Sequence, residues 1–185
     1  MGPRLGRAAP AAAARGRRAD PTALRRGLRA ADRGDVLTTV AFSGAADLAL
    51  PREVVFAYLA DPRNRPEWQS SLLSVTLRDR TASEPYAGMR WRDNTMAGVR
   101  PAMEITRLEP DSVWAESGRW LGIRAELTMR FDRTTTGCRV RADGTLSGSG
   151  PWAAPVAVAG RLAGPAIGHD LRRVGDILGR GRRTP

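Results

Sequence analysis

Apolar and polar positions alternate one by one through most of residues 36–146, with a helical interruption at 51–70. The spacing then becomes helical from about 152 to 179. Phe42, Gly44, Ala46, Leu48 and Leu50 share one parity and predict a strand over 36–50. Pro51 suits the first helical position, with Glu53 in the favoured first turn. Val54, Val55, Tyr58 and Leu59 then supply the stripe of a short helix that Asp61-Pro62 ends. Residues 62–70 read as one further helical turn carrying Trp68. Leu73, Val75 and Leu77 alternate with polar neighbours, and residues 79–88 read as a loop. Strands follow at 89–98, 101–108 and 112–120. The clearest strand has Ile123, Ala125, Leu127, Met129 and Phe131 on one face and Arg124, Glu126, Thr128 and Arg130 on the other. Asp132 to Gly137 reads as a polar hairpin connection. Beyond it, Cys138, Val140, Ala142, Gly144 and Leu146 alternate with polar residues. At about 100° per residue, Val156, Gly160, Ala163, Ile167, Leu171, Val174 and Leu178 form one stripe of a long helix, which Pro165 should kink or restart.

The order is therefore one strand, two short helices, six strands and one long helix, an α+β chain with a seven-stranded antiparallel sheet. A single amphipathic helix covers only one face of such a sheet. The sheet should curl around it and leave space at its open end.

Composition narrows the chemistry. The chain has 185 residues, and all 30 of its basic residues are arginine, so no lysine is available for a Schiff base or a phosphate loop. Net charge is +11, of which +6 falls in residues 1–35, with nine Arg against three Asp. That segment is Ala/Arg/Gly/Pro-rich and is predicted to be a disordered basic arm, with a marginal helix conceivable after Asp20-Pro21. Residues 180–185 form a basic tail. One cysteine, Cys138, excludes an internal disulfide, and one histidine, His169, excludes paired-histidine zinc motifs. His169 falls opposite the apolar stripe of the last helix. No apolar run reaches the ~20 residues of a membrane span, and no secretory signal is evident, so a cytoplasmic protein is expected.

The phrase Leu50-Pro51-Arg52-Glu53-Val54-Val55-Phe56-Ala57-Tyr58-Leu59-Ala60-Asp61-Pro62, followed by Pro66-Glu67-Trp68, resembles the START-like, birch-pollen-allergen-like (SRPBCC) superfamily. More narrowly it resembles the bacterial polyketide cyclase/dehydrase and lipid transport group. Gly88-Met89-Arg90-Trp91, Ile105 before Glu109-Pro110, Phe131 before Gly137 and the final helix extend the likeness over residues 37–179. The resemblance implies a helix-grip domain over 36–179, with a cavity between the concave sheet face and the last helix. Members bind lipids, hormones or polyketides, or cyclise them.

Alternation and the resemblance together nominate Tyr58, Trp68, Trp91, Met103, Ile105, Leu127, Met129, Phe131, Ile167 and Leu171 as ligand-binding residues, with Trp68 at the cavity entrance. Each of them would serve equally as plain core. Residues 89–96 admit two registers: either Met89, Trp91, Asp93 and Thr95 face inward, or Arg90, Arg92, Asn94 and Met96 do. An inward acid or arginine needs a ligand or counter-ion. Arg90, Asp93 and Tyr58 are the weak catalytic candidates, and a solvated or ion-paired Arg90 is preferred. No metal and no cofactor is expected. The leading function is binding or transport of a small hydrophobic molecule (a lipid, isoprenoid or polyketide). The alternatives are a polyketide cyclase/aromatase or dehydratase, and binding of nucleic acid or an anionic membrane through residues 1–35. Ligand identity and oligomeric state are left open.

Overall fold

The computed structural model describes residues 37–181. The basic arm, the helix foreseen after Pro21 and the last four residues lie outside them. Strand β1 (Thr38–Leu48) leads into helix α1 (Arg52–Ala60), a 3₁₀ turn (Pro62–Asn64) and the single-turn helix α2 (Arg65–Trp68). Six strands follow: β2 (Leu72–Leu77), β3 (Arg90–Thr95), β4 (Ala102–Glu109), β5 (Val113–Trp120), β6 (Ile123–Thr134) and β7 (Gly137–Gly148). Helix α3 (Ala153–Gly181) closes the chain. The seven strands form one antiparallel sheet in the order β1-β7-β6-β5-β4-β3-β2, so the first strand joins the last across a long connection. This is the helix-grip architecture that the element order implies.

Helix α3 lies on β1 and β7. Glycines make that approach possible. A Cβ at Gly164 would stand 2.8 Å from the carbonyl oxygen of Ser43, and one at Gly160 would enter Val40. The buried stripe of α3 is Val156, Gly160, Gly168, Leu171 and Val174, with Asp170 beside it. The Oδ1 of Asp170 accepts from the backbone N–H of Ser70, 3.2 Å away, and so ties the end of α2 to α3. His169 is exposed, as its angle requires.

Four expectations need correction. Helix α3 runs unbroken through Pro165, which lies on the exposed side, where water can take the Arg161 carbonyl that proline, having no N–H, leaves unbonded. In α1 the buried residues are Val55, Phe56, Leu59 and Ala60. Val54 is exposed, because Phe56 turns to meet Phe131 edge-on at 5.2 Å. In β2 a bulge between Leu72 and Ser74 turns Leu72 inward and leaves Leu73 exposed. The β6–β7 connection is only Thr135-Thr136, since both strands continue to Thr134 and from Gly137.

The helix–sheet contact makes opposite predictions for two glycines of one helix. Gly164→Ala should destabilise the protein by about 1–3 kcal/mol, because the added methyl meets backbone that cannot rotate away. Gly179→Ala, with nothing within 4 Å of the new methyl, should leave stability unchanged or raise it by up to about 1 kcal/mol. Urea denaturation of the two variants checks both signs.

Candidate functional site

The inner face of the sheet is graded from sealed to half-open. In the row Trp114, Met129 and Ala142, side by side on β5, β6 and β7, all three side chains are fully buried. One row up lie Glu116, Leu127, Gly144 and Phe42, and above them Gly118, Ala125, Leu146 and Val40. There Leu127, Gly144, Phe42, Ala125, Leu146 and Val40 are only half-buried. Trp120 and Ile123 in the top row are half-buried too. The sheet stays apolar along its inner face beyond the part that is sealed. On α3, Ala163 and Ile167 are half-buried, with Ile167 against Gly44, which pairs with Ala142 in the sealed row.

Glu116, in the same row as Leu127, belongs to a charged cluster. Arg65, the first residue of α2, is 2% exposed. Its Nη1 donates to Glu116 Oε2 at 2.7 Å and its Nη2 to Asp93 Oδ2 at 3.1 Å. Both acids are buried. The other Asp93 oxygen accepts from Trp91 Nε1 at 2.8 Å. The guanidinium carbon lies 5.5 Å from the Trp91 ring centre, 5.9 Å from Trp68 and 6.0 Å from Trp114, a cage in which the cation meets three aromatic faces. The Nε of Arg65 and the indole N–H groups of Trp68 and Trp114 meet no acceptor among the described residues.

Local structure holds Arg65 in place. Asp61 accepts from the backbone N–H of Arg63 and pairs with its guanidinium, which in turn donates to the carbonyls of Ala82 and Ser83. Asn64 Nδ2 donates to the carbonyl of Tyr58, satisfying the end of α1. The short segment is thereby stapled to α1 and to the β2–β3 loop, and Arg65 is left one way to face.

One arginine between two carboxylates would carry net negative charge if all three were ionised. Burial raises the Glu116 carboxyl above its ordinary value near 4.5, and the charge of Asp93 adds to this, against the pull of Arg65. Burial works against the Arg65 cation, but Glu116 and Asp93 more than restore it and hold it above its usual range. Of the two carboxylates, Glu116 is the one whose burial favours the protonated form, while Arg65 keeps its charge between them.

The nominated residues separate on this frame. Trp91 and Asp93 face inward, settling the register of β3. Arg90 points the other way, exposed, with its Nε 2.9 Å from Glu104 Oε2. Arg90 is thus on the face opposite Asp93, so the catalytic grouping of the two is corrected. Tyr58 is half-buried, and its hydroxyl donates to the exposed Glu67 at 2.7 Å, away from Asp93. Burial first, then that bond, pushes its phenol above the usual value. Trp68 is 2% exposed and packs against Arg65, not at an opening. Met103, Ile105, Met129, Phe131 and Leu171 are buried members of the main core, whereas Leu127 and Ile167 border the half-open part. Arg65 and Glu116 went unnominated. Two acids at inward parity, Asp93 and Glu116, demanded a buried cation, and Arg65, three residues before Trp68 on one helical turn, was available.

Two outcomes follow. Arg65→Met, which strands buried carboxylates, should cost about 3–5 kcal/mol in denaturation experiments. Because the folded-state value of Glu116 lies above the unfolded one, its proton stabilises the fold. That contribution is complete below about 4.5 and is lost as pH rises through the raised value. Glu116→Gln keeps a neutral acceptor for Arg65 and should remove this part of the pH dependence, so its stability relative to the parent improves from pH 4 to pH 7.

Residues 39–178 match the family described as polyketide cyclase / dehydrase and lipid transport. The sequence matches no curated protein. Among solved structures, a START superfamily protein from Mycobacterium smegmatis is similar with a TM-score of 0.60 at 11% identity, over 76% of this chain and 98% of that one. A protein from Mesorhizobium loti gives 0.56 at 18%, over 76% and 97%. The di-domain ARO/CYC StfQ from the steffimycin biosynthetic pathway gives 0.62 at 16%, over 91% of this chain and 63% of that one. With its helix-grip fold and a match across most of its length, the chain belongs to the polyketide cyclase / dehydrase and lipid transport family.

Proposed function

We propose that this protein binds a small hydrophobic molecule, of lipid, isoprenoid or polyketide type, between the upper inner face of β5, β6 and β7 and the N-terminal half of α3. Residues 36–179 are then the binding domain, acting in the cytoplasm. The observation that carries the reading is the burial gradient. Leu127, Ala125 and Leu146 are apolar yet half-open, while Met129, Ala142 and Val140 directly below are fully buried. Apolar inner surface left part-wet is where a hydrophobic ligand gains most by displacing water. The family description and the StfQ likeness support the same class of ligand.

A second reading, a cyclase or dehydratase, is favoured by one feature. Glu116 and Leu127 are cross-strand neighbours, so a carboxyl whose burial favours its protonated form lies directly beside the proposed binding surface. Such an acid could protonate a ligand oxygen in a dehydration, with Arg65 and Asp93 as positioning residues.

Replacing Leu127 or Ala125 by Trp should obstruct the proposed surface. Binding of the apolar fluorophore N-phenylnaphthylamine should fall at least about tenfold while the circular dichroism spectrum is kept. A parent protein that binds neither this probe nor any co-purifying apolar molecule in native mass spectrometry would refute the reading. For the enzyme reading, Glu116→Gln should abolish turnover of a poly-β-ketone substrate without weakening its binding. Equal turnover would dismiss it.

A further inference from the structure

Among the described residues, eight large hydrophobic side chains are exposed. Val54 and Tyr86 stand apart. The other six, Leu37, Leu73, Met96, Leu121, Val158 and Leu162, gather toward one end of the domain. The pairing register shows why. Leu37 precedes Thr38, which pairs with Gly148, and Gly148 pairs with Ile123, just past Leu121 in the β5–β6 turn. Leu73 follows Leu72, which pairs with Thr95, and the N–H of Met96 bonds the carbonyl of Ser71. Val158 and Leu162 lie on the outward face of α3, whose first turn stands beside the β5–β6 turn: Trp152 meets Trp120 edge-on at 5.3 Å and covers Gly122.

Charge marks the same end. The segments that build it, residues 37–46, 70–77, 94–103, 117–125 and 144–169, contain no Asp or Glu. They do contain Arg100, Arg119, Arg124 and Arg161, and Arg92 stands in line with them. Arg92, Ala102, Arg119 and Arg124 occupy one row across four strands, on the outer face. Arg119 and Arg124 are therefore like charges directly opposed, a destabilising pair. None of these five arginines has a carboxylate within 4 Å among the described residues. Arg92 and Arg119, with Arg78 and the Arg90–Glu104 pair, also line a depression of about 800 Å³ on that face.

The β5–β6 turn adds an independent observation. Leu121 holds a left-handed backbone, φ 51°, a conformation that favours Gly, Asn or Asp. It is also 71% exposed, so packing within the domain does not repay the strain.

We propose that this end of the domain docks onto an anionic lipid surface, with Leu121 and Met96 entering the acyl boundary and the surrounding arginines meeting head-group phosphates. An apolar tip surrounded by arginines unpaired among the described residues complements such a surface on both counts. The exposed part of this face lacks the ring of aromatic side chains on which single-stranded nucleic acid stacks, and its apolar tips have no counterpart on a duplex backbone. The inference stands independently of the internal ligand.

The test uses the full chain with vesicles of phosphatidylglycerol and phosphatidylcholine, and with phosphatidylcholine alone. The parent should float with the anionic vesicles only, and brominated lipid should quench the fluorescence of Trp120 and Trp152 beside the tip. Leu121→Asp combined with Met96→Asp, both at exposed positions and the first relaxing a strained one, should weaken vesicle binding at least about tenfold. Arg119→Glu with Arg124→Glu should do the same and lessen its salt dependence. Failure of the parent to bind anionic vesicles overturns the proposal. So does binding that survives both double variants, or capture of duplex DNA without capture of vesicles.

Discussion

A guanidinium enclosed between two carboxylates organises the interior of this protein. Arg65 reaches inward from a helix of one turn and meets Asp93 from β3 and Glu116 from β5. Strands β3 and β5 are separated by β4, so the pair of bonds also fixes the curvature of the sheet at that point. Three indoles exclude water from the cation, and burial shifts Glu116 toward its protonated form. Such a cluster is a poor source of net stability but a strong source of specificity, because any shift of α2 would leave buried charge unpaired.

The cluster also divides the volume beneath the sheet. Under and beside it, Trp68, Trp114, Met129, Phe131, Leu171 and Val174 pack into one continuous core. On β6 and β7 beside it the side chains shrink, with Ala125 and Gly144, and burial falls. Small residues thin the wall where the helix has drawn away toward β1 and β7, the side to which its glycines commit it. The helix approach on one side and the half-open apolar surface on the other are thus one arrangement.

Much of this was legible from alternation. Period-2 patterning placed all seven strands, and the stripe from Val156 to Val174 placed the last helix, because both elements are apolar on one face only. What alternation could not supply was depth. Leu127, Met129 and Phe131 look alike in sequence, and their different burial depends on how far α3 reaches across the sheet. Nor could it foresee the bulge that turns Leu73 outward, since a bulge is one residue of slippage in otherwise ordinary strand sequence. The register of β3 was ambiguous because both of its faces carry charge, and it was settled by Arg65, which is distant in sequence. Arg90 and Tyr58 attracted attention for their chemistry alone; their partners, Glu104 and Glu67, lie outside the interior.

The most direct test is methyl NMR of the protein titrated with N-phenylnaphthylamine or with its co-purified ligand. Binding on the upper inner face predicts shifts for the methyl groups of Ala125, Leu127 and Leu146, and none for Val140, Leu171 and Val174 beneath them. Shifts confined to the lower set, or spread evenly over both, would contradict it.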